Sequence, residues 1–240
     1  MKHLHGMKKW GLITGLLVAS LAAATFIALD HGDPKVSKPN QAPMNELPWH
    51  IDQLPSGDTQ VFGLRLAAQP EAASTLGDVQ RRWASDFQMA VVAAPGENGT
   101  LEAYVESATM GFIIGKLVVT AQVSPQVILG FRERAAKVGY MNSSTRKYSL
   151  NPTDQALALR SPILALAFIP QANLDDDIVK ARFGVPAERV RSNAHTEHWL
   201  YPDKGLGITL DSEGKELLQY VAPAQFTQLR EPLRQTAKTQ

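Results

Sequence analysis

Toward its C-terminal end the chain repeats one pattern: short strand-like stretches at 197–201, 206–210 and 217–221, divided by Pro202-Asp203-Lys204-Gly205 and Asp211-Ser212-Glu213-Gly214. Short stretches of this kind, closed by Gly, Pro and Asp, form the strands of an antiparallel meander. Leu206, Ile208 and Leu210 then share one side, beside Trp199 and Tyr201 on a common face of the neighbouring strand. Trp199 is expected in the core. Tyr201 is expected at its rim, with Tyr220 extending that rim, because a phenol keeps a polar end for the boundary with water.

Upstream the same logic gives strands near 60–66, 87–94, 101–106 and 111–123, with Pro95 to Gly99 as a turn. Residues 74–83 read as a helix capped by Ser74 or Thr75, with Asp78 in its first turn and Leu76, Val79 and Trp83 on one face. At 124–138 the period changes, and Val127, Phe131, Ala135 and Val138 line a helical face up to Gly139. A second helix opens at Asn151-Pro152 and runs toward Leu159. A strand at 163–169 and a helix at 175–183 then repeat the earlier order, with Val179 and Phe183 spaced like Val79 and Trp83. From residue 226 to 233 the chain is expected to dock back onto the sheet, with Pro232 limiting any helix.

Lys8 and Lys9 precede an uncharged apolar stretch, residues 10–29, which as a helix of about 20 residues spans one hydrocarbon thickness. Lysines before it place the N-terminus on the cytoplasmic side. The run continues past Ala22-Ala23-Ala24, a small-residue processing site, through Phe26 and Leu29, which favours an uncleaved anchor over a signal peptide. Pro34, Pro39, Pro43 and Pro48 mark an extended linker. The expected organisation is therefore a signal anchor at 1–29, a Pro-rich linker at 30–48, a first α+β unit at 49–123, a helical connection at 124–161, a second α+β unit at 162–233 and a polar tail at 234–240. The fold class is α+β: an N-terminal transmembrane helix followed by two small helix-on-antiparallel-sheet units. The location that follows is the inner membrane, single pass, contacting lipid through residues 10–29 with the C-terminal body in the periplasm.

The run Val179-x-x-Arg182-Phe183-Gly184-x-Pro186, followed by Trp199-x-Tyr201, Gly205-Leu206-x-Ile208 and Gly214-Lys215, resembles the SmpA/OmlA type of envelope domain. That family includes the small lipoprotein of the outer-membrane β-barrel assembly machine, and tandem copies of a similar fold form the β-lactamase inhibitory protein. The likeness covers residues 172–223, and extends to 58–123 only at Thr75, Leu76, Val79 and Trp83. It implies helices on a three-stranded antiparallel sheet and a non-enzymatic scaffold or protein-binding role. The lipidated cysteine of the barrel-assembly lipoprotein has no counterpart here.

Function classes narrow by exclusion. A net charge of +1 over 240 residues provides no electrostatic footprint for a nucleic-acid backbone. The chain has no cysteine, which removes disulfides, thiolate metal sites and cysteine nucleophiles. His195, Glu197 and His198 are the residues nearest to a metal set, but on a strand Glu197 points away from His198. Asp175, Asp176 and Asp177 suit a helix N-terminus rather than a cation site. Arg81-Arg82 and Arg189-x-Arg191 suit a solvated face. Gly111 to Gly115 lacks the ending and context of a phosphate loop. Ser74, Ser124 and Ser161 lack a nucleophile-elbow setting. No catalytic, cofactor-binding or metal-ligating residue is assigned. The expected function is a membrane-anchored periplasmic module of the cell envelope that binds another envelope protein, with Trp83, Tyr201 and Tyr220 as contact residues. Two alternatives stand beside it: a small-molecule- or peptide-binding or inhibitor-like domain, and a hydrolase that assembles His50, His195 and His198 in space.

Overall fold

A computed structural model of the chain describes residues 46–141 and 144–237. In chain order the elements are β1 (Asp52–Gln53), β2 (Thr59–Val61), β3 (Leu64–Leu66), α1 (Leu76–Arg82), β4 (Phe87–Ala93), β5 (Thr100–Met110), β6 (Ile113–Ala121) and α2 (Pro125–Glu133). They continue with β7 (Lys137–Tyr140), β8 (Arg146–Ser149), α3 (Pro152–Ala158), β9 (Ile163–Pro170) and α4 (Asp176–Phe183). The last are β10 (Glu188–Arg191), β11 (Thr196–Tyr201), β12 (Leu206–Asp211), β13 (Leu217–Val221) and α5 (Thr227–Ala237). The strands form a small sheet, β1-β2-β3, and a ten-stranded sheet ordered β10-β11-β12-β13-β9-β6-β5-β4-β8-β7.

Strand β9 decides the architecture. One of its edges pairs with β6, Ala167 opposite Val118, and the other pairs with β13, Phe168 opposite Leu218. Tyr201, Leu206, Tyr220, Leu166, Val119 and Ala103 consequently stand opposite one another in a single row crossing six strands. All of them are buried in one continuous core with residues of α1 to α4 and of β2 and β3. The expectation of two small helix-on-sheet units is corrected here: β9 occupies both edges along which the halves would have separated. The opposite face of the sheet carries α5, whose Leu229, with Phe226 just before the helix, packs on Ala165, Leu200 and Val221.

Local chemistry sets the helix starts. Thr75 and Asp78 exchange hydrogen bonds as a capping box on α1. Ser124, Asn151 and Asp175 each accept from the amide three residues on, at the starts of α2, α3 and α4. Two helices differ from expectation. Helix α2 ends at Glu133 and buries Ile128 and Phe131. The chain then turns, Ala136 N–H donating to the Ser149 carbonyl at 2.9 Å, so Val138 lies in a strand and not on the helical face. Helix α5 contains Pro232 in its interior. The cost of that proline is offset where Leu229 and Leu233 pack inward and Arg234 holds Glu188 at 3.1 Å.

The stretch near 60–66 is a hairpin rather than one strand. Phe62 and Gly63 turn it with φ of 55° and 71°, a backbone region that a bulky aromatic residue rarely adopts. The ring is buried 5.5 Å from Phe168 and 5.3 Å from Tyr220, and burial of that size offsets a local strain of about 1–3 kcal/mol.

The segment expected to cross a membrane, residues 10–29, lies outside the described residues, as does most of the linker. Among the described residues no helix is long and apolar enough to cross a membrane. The longest, α5, has 11 residues and reaches about 16 Å, roughly half a hydrocarbon thickness. The expectations built on an anchor are corrected accordingly: the lipid contact through 10–29, the single-pass inner-membrane location with a periplasmic body, and the membrane-anchored envelope scaffold have no basis in this structure. What the structure shows is an α+β body organised on one large antiparallel sheet.

Trp199 is fully buried, with Arg189 at 4.5 Å and Lys180 at 5.5 Å from its ring and its Nε1–H donating to Glu197 at 2.9 Å. Trp199→Ala is expected to lower unfolding stability by about 3–5 kcal/mol, read as a fall in the urea midpoint.

Candidate functional site

The β5–β6 turn, Gly111-Phe112, projects beyond the end of the sheet. Gly111 has a φ of 62°, and a Cβ there would come within 2.7 Å of Leu47, so both conformation and space require glycine. The turn holds Phe112 out with 62 % of its surface exposed. Its ring meets Trp49 at 6.2 Å and 61°, and Trp49 stands edge-on to Phe183 at 6.2 Å and 90°. Helix α4 forms the facing wall. Val179 and Phe183 enter the core, which leaves Ile178, Ala181 and Arg182 on the side toward Trp49. Residues 171–174 close the end, tied to β6 by the Gln171 N–H donating to the Ile114 carbonyl at 2.9 Å.

These parts line an open groove of about 780 Å³, within the size range of ligand sites. Its floor and walls are apolar, and its rim carries Gln171, Asn173, Asp175, Asp177 and Arg182. Asp175 is committed to the helix, its Oδ1 accepting from Ile178 N–H at 2.8 Å. The Arg182 guanidinium lies 4.7 Å over Trp49, an arrangement that keeps a planar cation at the mouth of an apolar cavity. No family model, curated protein or solved structure matches this chain. The groove is therefore read from its own chemistry: it can seat apolar side chains against Trp49, Phe112 and Ile178 and fix a polar group at the rim. Among the described residues no group of three or more His, Asp or Glu could hold a metal ion.

The residues expected to contact a partner are placed elsewhere. Tyr201 is buried and its hydroxyl donates to the Gly184 carbonyl at 3.0 Å; burial pushes the phenol up to about 12. Tyr220 is buried with its hydroxyl donating to the Pro48 carbonyl at 2.9 Å, and burial holds its phenol well above the ordinary value. Trp83 is the C-cap of α1, partly buried against the core, with Arg82 5.0 Å over its ring. The histidines do not converge. His50 meets Trp49 edge-on at 6.4 Å. His195 bonds Asp211 through Nδ1 at 2.8 Å, and that bond raises its pKa first of all. His198 is buried, its Nε2 2.7 Å from Ser192 Oγ and its Nδ1 2.9 Å from Thr209 Oγ1; burial lowers its pKa. Glu197 turns the other way, to Arg189 and Trp199. The Ser192–His198 contact thus has a hydroxyl, not a carboxylate, behind its imidazole.

Sequence reasoning missed two features. Trp49 was legible only as the start of the folded body, because its partners Phe112 and Arg182 come from distant segments. Glu102 lay in a strand whose alternation puts Leu101, Ala103 and Val105 on the core side, yet it too is only 3 % exposed. It sits between Ala90 and Thr120 on the neighbouring strands. Thr100 Oγ1 donates to one carboxylate oxygen at 2.7 Å, while the other has no hydrogen-bond partner among the described residues. Burial pushes its pKa from 4.5 to about 7.

For a carboxyl raised on folding, the unfolded chain ionises first. Stability therefore falls as pH rises from 4.5 to about 7 and is flat above that window. Glu102→Gln is expected to remove this slope and to raise stability by about 1–3 kcal/mol on the alkaline side, measured as urea midpoints at about pH 5 and about pH 8.

Proposed function

We propose that the chain is a binding module, and not an enzyme, that seats apolar side chains of a peptide segment in the groove between the β5–β6 turn and α4. The observation that carries this reading is the exposed apolar set Phe112, Ile114 and Ile178 gathered beside Trp49 with Arg182 across its ring. Leaving such surface in water is unfavourable by about 25 cal/mol per Å², and each bulky side chain of a ligand buried there contributes about 1.5–3 kcal/mol before ordering costs. The rim groups supply orientation: Arg182 suits a ligand carboxylate or carbonyl, and Asp177 an amide or amine. The SmpA/OmlA likeness over 172–223 enters the same proposal at the level of local architecture, supported by α4 preceding the antiparallel meander β11-β12-β13.

Two measurements test the reading. Anilinonaphthalene sulfonate, an apolar anion, is expected to fluoresce on binding the full chain and to be displaced by peptides rich in Leu and Phe. Phe112→Ala and Ile178→Asp should each weaken both interactions about tenfold with unchanged unfolding midpoints; undiminished binding in both variants refutes the groove. Against the enzymatic alternative, a fluorophosphonate probe should leave Ser192 unlabelled, as read by intact mass. Stoichiometric labelling lost in His198→Ala would establish a nucleophile instead.

A further inference from the structure

The outermost strand at one end of the large sheet is β7, which among the described residues pairs only with β8. Its register sets Val138 opposite Tyr148, Gly139 opposite Lys147 and Tyr140 opposite Arg146. Met141 N–H donates inward to the Thr145 carbonyl at 2.8 Å. In an antiparallel ladder inward and outward residues alternate, so Gly139 bonds β8 while the N–H and C=O of Val138 and Tyr140 point away from the sheet. Among the described residues no hydrogen bond satisfies those outward groups. The side chains there are open as well: Val138 is 47 % and Tyr140 74 % exposed. An edge with an aromatic residue and a β-branched one, and no proline, is a template for strand addition.

The charge around this edge selects what can be added. On the face shared by Val138 and Tyr140, Arg146 lies 5.8 Å over the Tyr140 ring, and Arg132 lies 5.0 Å over Tyr148 while donating to its hydroxyl at 3.3 Å. Lys137 and Lys147 project from the other face, Lys147 donating to the Gln88 side-chain oxygen at 3.3 Å. None of these four cations is in an ion pair among the described residues. Arg134, close by, is neutralised by Asp154 at 2.9 Å, and the acids of the neighbourhood, Glu97 and Glu133, pair with none of the four. A second copy of the chain would bring two such clusters within a screening length of about 8–10 Å, which disfavours self-pairing. We propose that the β7 edge binds an extended acidic peptide by strand addition, through main-chain hydrogen bonds to Val138 and Tyr140, with its carboxylates facing Arg146 on one side and Lys137 and Lys147 on the other. This surface belongs to the opposite end of the sheet order from the β10 edge and is independent of the groove beside α4.

The probe is a synthetic peptide of about eight alternating glutamate and valine residues, long enough to cover the strand, titrated into the full chain. Hydrogen exchange at the amides of Val138 and Tyr140 should slow about tenfold or more on saturation, and binding should weaken steeply with added salt. The matching lysine–valine peptide, and the acidic peptide with alternate amides N-methylated, should not bind. Val138→Pro deletes an outward donor without touching the β7–β8 ladder and should weaken binding about tenfold with an unchanged unfolding midpoint. Should that variant misfold, the N-methylated peptide tests the same bonds from the ligand side. Equal binding of the lysine peptide or of the N-methylated peptide overturns the proposal, and so does protection at Phe112 and Ile114 in place of Val138 and Tyr140. A single-stranded oligonucleotide that binds more tightly than the peptide and ignores Val138→Pro overturns it too.

Discussion

Everything in this molecule depends on β9 being paired along both edges. An antiparallel sheet grows only where an unsatisfied strand edge is available, and β6 and β13 each offer one. A single strand between them completes two ladders at once and merges two half-cores into one apolar layer. Helices α1 to α4 then share a common floor. The groove follows from this arrangement, since the β5–β6 turn and α4 come from the two halves that β9 joins.

The two proposed surfaces use different physics. The groove beside α4 is concave, mostly apolar and sparing of hydrogen bonds, so its selectivity lies in shape and in the single planar cation on Trp49. The β7 edge is flat and offers backbone hydrogen bonds that any extended chain can match, so discrimination there falls to charge. Glu102 belongs to neither surface. It is a buried carboxyl that makes the middle of the sheet sensitive to pH near neutrality.

Local features were well represented in the amino-acid order. Thr75, Ser124, Asn151 and Asp175 cap the helices because their side chains act within three residues, and alternation placed Leu101, Ala103 and Val105 inward. Features set by distant pairing were not legible. The membership of β9 in both halves, the inward tuck of Phe62 at positive φ, and the burial of Glu102 on the second face all require knowing which strands are neighbours. Val138 follows a helical spacing but joins β7, because Ser149 is there to receive the chain at Ala136. Pro232 signals a helix end and is overridden by packing. For the candidate site, Tyr201 and Tyr220 were recognisable as large amphipathic groups, but their hydroxyls donate to the backbone carbonyls of Gly184 and Pro48 rather than to solvent. Phe112 and Trp49 carried no sequence signal of exposure, since nothing local distinguishes an aromatic residue at a groove from one in a core.

The bond between the Tyr220 hydroxyl and the Pro48 carbonyl joins residues 172 positions apart. It fastens the opening of the folded body to one of its last strands, inside the core. A nascent chain emerging from the ribosome holds the first partner long before the second exists. Up to that moment Phe62 also lacks the Tyr220 ring that stands 5.3 Å from it, so the wall that strand β13 gives to this part of the core is the last to leave the ribosome.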